Sequence, residues 1–161
     1  TRICVLAVGS PLRGDDAAGL QIAGLLKKSC PPSRFGARLK ILLGETAPEN
    51  LTGVIKDYNP SHLIIVDAAN SGQEPGTISA IPPDKIGGIS FSTHQIPLKL
   101  MITYLHESIS SAVMVIGIQP QTLDFAAPMS QEVNAAVKEV AATLTQEIHA
   151  ALEVKRAGKK R

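Results

Sequence analysis

Short apolar runs alternate along this chain with stretches in which apolar residues recur every three or four positions. The first pattern predicts strands and the second predicts helices. The predicted strands are the apolar run that ends before Gly9, Leu39–Leu43, His62–Ala69, Thr77–Ile81 and Ala112–Ile118. The resulting order, β-α-β-α-β-β-α-β-α, predicts an α/β fold, a three-layer α/β/α sandwich around a five-stranded, mostly parallel, twisted sheet.

Two of these strands indicate how the sheet is arranged. His62–Ala69 contains consecutive branched apolar residues without alternation, which is typical of a strand covered on both faces. About seven residues separate it from Thr77–Ile81, too few for a crossover helix. We therefore predict that Thr77–Ile81 runs antiparallel at an edge of the sheet.

Four amphipathic segments supply the predicted helices, and Ser130 is placed to cap the last of them. Between the edge strand and the third helix, Gly87–Thr93 has no useful period and predicts a mobile loop. The apolar positions that should face the core are Ala18, Ile22, Leu25 and Leu26 in the first helix, Leu51, Val54 and Ile55 in the second, Leu98, Met101, Ile102 and Leu105 in the third, and Val133, Val137, Val140, Ala141, Leu144, Ile148 and Leu152 in the fourth.

Composition favours one globular domain, which we place at residues 1–152. Of the 161 residues, 44% are hydrophobic and 19% are charged, as in ordinary globular proteins. The last nine residues hold five of the 16 basic side chains and one of the 14 acidic ones. The rest of the chain therefore carries 11 basic and 13 acidic side chains, a formal net charge of −2. We predict that residues 153–161 form a basic, disordered tail.

Composition also disfavours several kinds of partner and compartment. Aromatic residues make up only 3% of the chain, which leaves little surface for stacking on nucleic-acid bases. No apolar run approaches the roughly 20 residues of a membrane span, and the first run is too short for a secretory signal. Cys4 and Cys30 lack the spacing of a metal or disulfide motif. We therefore expect a cytoplasmic monomer with reduced cysteines, without membrane insertion and without a nucleic-acid partner.

The segment Val5–Gly19 carries the first indication of chemistry. It predicts a strand, a polar loop and the start of a helix, with Asp15 and Asp16 side by side after the loop. Ligands and catalytic groups collect at the carboxyl ends of strands in parallel sheets. Asp15 alone could serve as a helix cap, but a cap needs only one acid.

Two more polar residues follow other strands in the same way. Asp67 ends the buried strand His62–Ala69, where an unpaired carboxylate would be costly. His94 lies just ahead of a helix N-terminus, which favours the neutral imidazole that ligates metals. Asp16, Asp67 and His94 would face one crevice, and two carboxylates with one imidazole suit a first-row divalent ion with open coordination positions.

Common nucleotide and hydrolase motifs are absent from the sequence. Gly9, Gly14 and Gly19 do not have dinucleotide-binding spacing, and the chain has neither a phosphate-binding loop nor a nucleophile elbow. Nucleophilic hydrolase chemistry is therefore unsupported.

Four motifs in one order resemble those of the nickel-iron hydrogenase maturation endopeptidases. They are VGSPLRGDDAAG at Val8–Gly19, IIVDAANSGQEPGTI at Ile64–Ile78, STHQIPL at Ser92–Leu98 and GIQP at Gly117–Pro120. The segments ETAPEN, STHQIPL and GIQP are most similar to the branch that processes the large subunit of the formate hydrogenlyase hydrogenase. The resemblance covers nearly the whole chain except the basic tail.

The resemblance implies a protease that removes a C-terminal extension from a hydrogenase large-subunit precursor after nickel insertion. It also implies that Asp16, Asp67 and His94 bind metal, which is the precursor's own nickel, although other divalent ions could occupy the site. This chain has Ser10 where the family usually has Asn, and Asp16 where many members have Glu. Neither difference removes a ligand.

Two mechanisms and two other functions remain open at this point. Metal held by the three residues could activate water and stabilise the oxyanion, or nickel could only position the scissile bond while Asp16 or Asp67 acts as the catalytic base. A non-enzymatic nickel-sensing chaperone or checkpoint protein for the same precursor is the main alternative function. A small-molecule hydrolase or nucleotide-binding module is the third.

Overall fold

The main sheet contains the five strands that the sequence predicts. The computed structural model describes residues 1–88, 90–91 and 95–157. Within these ranges, the strands are β1 (Ile3–Val8), β2 (Leu39–Glu45), β3 (His62–Asn70), β4 (Ile78–Ile81), β5 (Ser90–Phe91) and β6 (Ala112–Ile118). The main sheet has the order β2-β1-β3-β6-β4, and the two-residue strand β5 pairs with β3 outside this path.

Strand pairing confirms a mostly parallel sheet with one antiparallel edge. β1 is parallel to both β2 and β3, and β3 is parallel to β6. β4 runs antiparallel to β6, as the short connection after β3 predicts. β4 does not lie next to β3, because β6, which comes later in the chain, takes that position.

Helices cover both faces of the sheet and complete the three layers. They are α1 (Ala18–Ser29), α2 (Pro32–Phe35), α3 (Thr52–Tyr58), α4 (Gln95–Ser108) and α5 (Gln131–Ala157), with 3-10 turns at Gly14–Ala17, Gly36–Arg38, Pro48–Leu51 and Pro83–Gly88. The odd-numbered residues of β1 pack with α1 and α5, and its even-numbered residues pack with α3 and α4. Successive side chains of a strand point to opposite faces, so every residue of β1 is buried.

The predicted helix faces agree with the observed burial in most positions. All the predicted positions of α4 and α5 are buried, as are Ala18, Ile22 and Leu26 of α1. Leu25 is only partly buried and packs at the margin of the core. In α3, Ile55 is buried but Val54 is 38% exposed, because this helix has only seven residues and presents a narrow apolar face.

Two segments differ from the sequence-based expectations. Gly87–Thr93 is predicted to be a mobile loop, but Ser90–Phe91 within it forms β5, paired antiparallel with Ala69 and Asn70. Residues 89, 92 and 93 lie outside the described residues. At the C-terminus, α5 continues to Ala157, so residues 153–157 of the predicted disordered tail are helical, whereas 158–161 lie outside the described ranges. No helix in the described part of the chain is long and apolar enough to cross a membrane.

Gly19 allows α1 to pack directly against the strand backbones. A Cβ atom at this position would lie 2.5 Å from the Val66 carbonyl oxygen and 2.6 Å from that of Val8. Backbone atoms cannot move aside cheaply, so we expect Gly19→Ala to lower the free energy of unfolding by about 2 kcal/mol. Urea denaturation followed by circular dichroism measures this loss.

Gly24 on the same helix provides the matched control for this substitution. No atom lies within 4 Å of a Cβ added there, and alanine favours helix more than glycine does. We expect Gly24→Ala to raise the free energy of unfolding by roughly 0.5–1 kcal/mol. Equal effects of the two substitutions would contradict the close packing at Gly19.

Candidate active site

Asp16 is fixed by the turn that follows β1. It lies in the 3-10 turn between β1 and α1 and is 1% exposed. The Ser10 backbone N–H donates to its Oδ2 at 3.0 Å. Gly9 has φ +137°, and a Cβ atom there would fall 1.9 Å from the Asp16 carbonyl oxygen. Only glycine therefore lets the loop fold back closely enough for Ser10 to orient this carboxylate.

Asp67 is held in the neighbouring strand by a similar bond. It lies in β3, is 1% exposed, and its Oδ1 accepts a hydrogen bond from the Ala68 backbone N–H at 2.8 Å. Because β1 and β3 are adjacent and parallel, their carboxyl ends share one edge of the sheet. The charge of Asp16 acts on Asp67, so the structure places the two carboxylates near each other at this edge.

Each carboxylate keeps one oxygen that nothing else uses. Among the described residues, Asp16 Oδ1 and Asp67 Oδ2 are buried and have no hydrogen-bond partner. Burial, together with the negative charge of Asp16, raises the pKa of Asp67 well above its ordinary value, and the Ala68 hydrogen bond only partly offsets this. Two buried acids with free oxygens are costly unless a cation or a proton lies between them.

The two free oxygens fit part of a divalent metal site. Carboxylate oxygens are suitable ligands for first-row metals, and a cation beside them would favour the ionised form of both acids. The third predicted ligand, His94, lies outside the described residues. Within the described ranges, no group of three or more His, Cys, Asp or Glu side chains could hold a metal ion. The acid pair is thus the part of the predicted trio that lies within the described residues.

The raised pKa of Asp67 predicts how its replacement changes stability. The unfolded chain ionises this group at lower pH than the folded chain does, so Asp67 destabilises the metal-free protein increasingly as pH rises above about 4. We expect Asp67→Asn to raise the free energy of unfolding at pH 7 by about 1 kcal/mol, or roughly 2–4 °C in Tm for this chain length.

Thermal denaturation between about pH 4 and 8 with a chelator present tests this expectation. The difference between Asp67→Asn and the unmodified protein should shrink towards the acid end and grow with pH. A variant less stable than the unmodified protein at pH 7, or a difference independent of pH, would contradict the raised pKa that burial and the charge of Asp16 give to Asp67.

Asp15, although adjacent to Asp16, has a structural role: it holds together the loops around the site. It is fully buried, and its oxygens accept hydrogen bonds from the backbone N–H groups of Gln121, Thr122 and Ser130 and from the Ser130 hydroxyl, at 2.7–3.1 Å. Its carboxylate does not cap its own helix, as one interpretation of the sequence proposes. Instead it fastens the loop after β6 to the loop after β1.

Gln119 is a second buried polar residue of this edge, and sequence reasoning did not identify it. Its Oε1 accepts from the Ser71 and Gln73 backbone N–H groups at 2.9 and 3.3 Å, and its Nε2 donates to Asn70 Oδ1 at 3.2 Å. Gln119 therefore holds the turn that follows β3, which begins four residues beyond Asp67. It lies in the GIQP motif, but no spacing in the sequence indicates these partners.

Known proteins with the same fold and sequence pattern determine the family. A family model described as hydrogenase maturation protease, HycI, matches residues 21–147. The chain belongs to the hydrogenase maturation protease family. This confirms the resemblance found in the four sequence motifs.

Individual proteins of this family are similar to the chain over most of their length. The hydrogenase 3 maturation protease of Escherichia coli is 38% identical over 137 residues, which cover 84% of each chain. The crystal structure of a NiFe hydrogenase maturation protease, HycI, from Thermococcus kodakarensis has a TM-score of 0.80 and 29% identity, with 91% of each chain covered. The solution structure of the endopeptidase HycI from Escherichia coli has a TM-score of 0.77 and 36% identity, covering 91% of this chain and 90% of that one. As a member of the hydrogenase maturation protease family, the chain is an endopeptidase.

Proposed function

We propose that this endopeptidase removes the C-terminal extension of a nickel-iron hydrogenase large-subunit precursor after nickel has been inserted. The observation that carries the proposal is the pair of buried, unpartnered oxygens, Asp16 Oδ1 and Asp67 Oδ2. They lie at the strand edge where α/β proteins bind ligands. A protease that must detect a metal in its substrate needs such donors.

The nickel in this proposal belongs to the substrate. Asp16 and Asp67 each use one oxygen to accept a backbone hydrogen bond and leave the other free. The carboxylates therefore meet the incoming cation already oriented, which lowers the cost of binding. With His94 they would supply three ligands to nickel and leave the remaining positions to the precursor.

Recognition of nickel also explains why an empty precursor would be a poor substrate. Without a cation, the burial of Asp67 and then the charge of Asp16 raise the pKa of Asp67 and favour its protonated form. A nickel ion brought by the precursor would offset this repulsion, and Asp16 and Asp67 would hold it through their free oxygens. Peptide hydrolysis then requires a group that takes a proton from the attacking water, and the carboxylates of this pair are the candidates within the described residues.

The relatives and the motifs together support a choice of partner branch. The Escherichia coli relative with 38% identity is named for hydrogenase 3, and the ETAPEN, STHQIPL and GIQP segments resemble the formate hydrogenlyase branch. We propose that the precursor is the large subunit of a hydrogenase of this type. A cytoplasmic location and a monomeric state are part of the same proposal.

Intact-mass spectrometry of the precursor tests this function. We expect the nickel-loaded precursor to lose a C-terminal peptide when the protein is added, and the nickel-free precursor to keep its full mass. An unchanged mass of the nickel-loaded precursor would contradict proteolysis. Equal cleavage of both forms would contradict recognition of nickel.

A further inference from the structure

Two large apolar side chains are exposed on the loops that are hydrogen-bonded to the turn carrying Asp16. Leu12, in the loop after β1, is 60% exposed, and Phe125, in the loop after β6, is 70% exposed. The backbone N–H of Ala126 donates to the Leu12 carbonyl at 2.8 Å, so the two loops are joined where these side chains emerge. We call Leu12 and Phe125 together the apolar ridge.

The loop that carries Leu12 is tied to both acids of the turn. The Leu12 N–H donates to Ser10 Oγ at 3.2 Å, and the Ser10 N–H donates to Asp16. The Asp15 N–H donates to the Thr122 carbonyl at 3.0 Å, while the Thr122 N–H donates to the Asp15 carboxylate at 3.1 Å. The ridge and the free oxygen of Asp16 therefore share one hydrogen-bonded frame.

Close packing holds the second loop as well, and a strained residue within it shows that its surroundings fix its conformation. Ala126 adopts φ +61°, a left-handed conformation that costs a residue with a side chain about 1 kcal/mol or more. A Cβ atom at Gly14 would lie 2.8 Å from the Thr122 carbonyl oxygen, so the two loops are in contact there. Strain of this kind persists only where the surroundings enforce it. Here the surroundings, including the hydrogen bond to the Leu12 carbonyl, fix Ala126, the residue that follows Phe125.

A buried carboxylate, Asp15, and a strained residue, Ala126, are used to hold two loops whose large apolar side chains are exposed to solvent. An exposed aromatic residue on a rigid support is typical of a binding anchor, because little conformational freedom is lost when a partner covers it. In the proposed function, the partner that binds at this edge of the sheet is the hydrogenase precursor, whose nickel contacts Asp16 and Asp67. We infer that the apolar ridge binds an apolar surface of the precursor next to its nickel site. This inference rests on the proposed function.

Steady-state processing of the nickel-loaded precursor tests the ridge. We expect Phe125→Ser and the double variant Leu12→Ser/Phe125→Ser to raise KM roughly tenfold or more, with kcat within about twofold of the unmodified protein. Leu100→Ser is the matched control, since Leu100 is 65% exposed on α4 and should leave KM unchanged. An unchanged KM in the double variant, an equal rise in the control, or a loss confined to kcat would overturn the inference.

Two further measurements separate the inference from its alternatives. Thermal denaturation should give the double variant the Tm of the unmodified protein, because neither side chain is buried; a large drop would assign the ridge to the fold. Light scattering of the protein alone should show no association, whereas a dimer lost in the double variant would make the ridge a contact between copies. Failure of the unmodified protein to shorten the precursor would contradict the proposed function itself, while a normal rate of shortening by the double variant at precursor concentrations below KM would contradict only the ridge.

Discussion

Asp16→Asn, Asp67→Asn and His94→Ala should each reduce processing of the nickel-loaded precursor by roughly 100-fold or more. Replacing residues that merely support a metal ligand typically costs 10–100-fold, so loss of a direct donor should cost at least as much. Asn has the shape of Asp but lacks the charge that attracts the cation. Mass spectrometry over a time course measures the rate of peptide release.

Matched variants show whether such losses are specific to the site. Asp57 on α3 and His106 on α4 are both exposed, and we expect Asp57→Asn and His106→Ala to process the precursor at the normal rate. Full activity in any one site variant would remove that residue from the proposed trio.

Binding of the nickel-loaded precursor distinguishes a ligand from a base. A variant that has lost a ligand should bind the precursor more weakly and also cleave it slowly. A variant that still binds normally and fails only in cleavage would assign its residue to proton transfer alone. The test applies separately to Asp16 and Asp67, because the sequence alone does not indicate which of the two acids is the catalytic base.

Asp15→Ala should destabilise the protein by about 3–5 kcal/mol, the largest stability effect that we expect from one side chain. The substitution leaves the backbone N–H groups of Gln121, Thr122 and Ser130 without the carboxylate that accepts from them. Hydrogen bonds to charged groups contribute about 1.5–3 kcal/mol each, and buried donors left without an acceptor add a desolvation cost. Urea denaturation should show the loss directly.

Graded variants of the same network test this explanation. Asp15→Asn would turn an amide group towards backbone donors and should cost nearly as much as Asp15→Ala, whereas Ser130→Ala removes only a hydroxyl and should cost about 1 kcal/mol. Asp57→Ala is the exposed control and should change stability by less than about 0.5 kcal/mol. If Asp15→Ala were as stable as Asp57→Ala, the network would not hold the two loops together.

The fold could be predicted from the sequence because apolar periodicity reports burial directly. The continuous apolar run of β3 predicts a strand covered on both faces, and the stripe along α5 predicts its buried side. β5 could not be predicted, since two residues are too short to show a period. Val54 is exposed because α3 is short, which the spacing of apolar residues does not reveal.

The site could be predicted in part because topology constrains where strand ends lie. Asp16 and Asp67 follow neighbouring parallel strands, so the order of elements alone brings them to one edge. The partners of Asp15 and Gln119 could not be predicted, since they lie 106–115 and 46–49 positions away along the chain and belong to loops without periodicity. His94 stays a prediction.

Because Asp15 and Asp16 are adjacent and have different roles, this turn should not tolerate a change in its length. One acid is wholly occupied in joining two loops, and the next offers a free oxygen to the cleft. Deleting or inserting one residue between Gly9 and Asp15 would shift both acids by one position relative to their partners, so that a carboxylate could perform at most one of the two tasks even though both acids remained. The length of this loop is therefore as strict a requirement as the acids themselves, and members that differ in the chemistry of the turn should still keep its residue count.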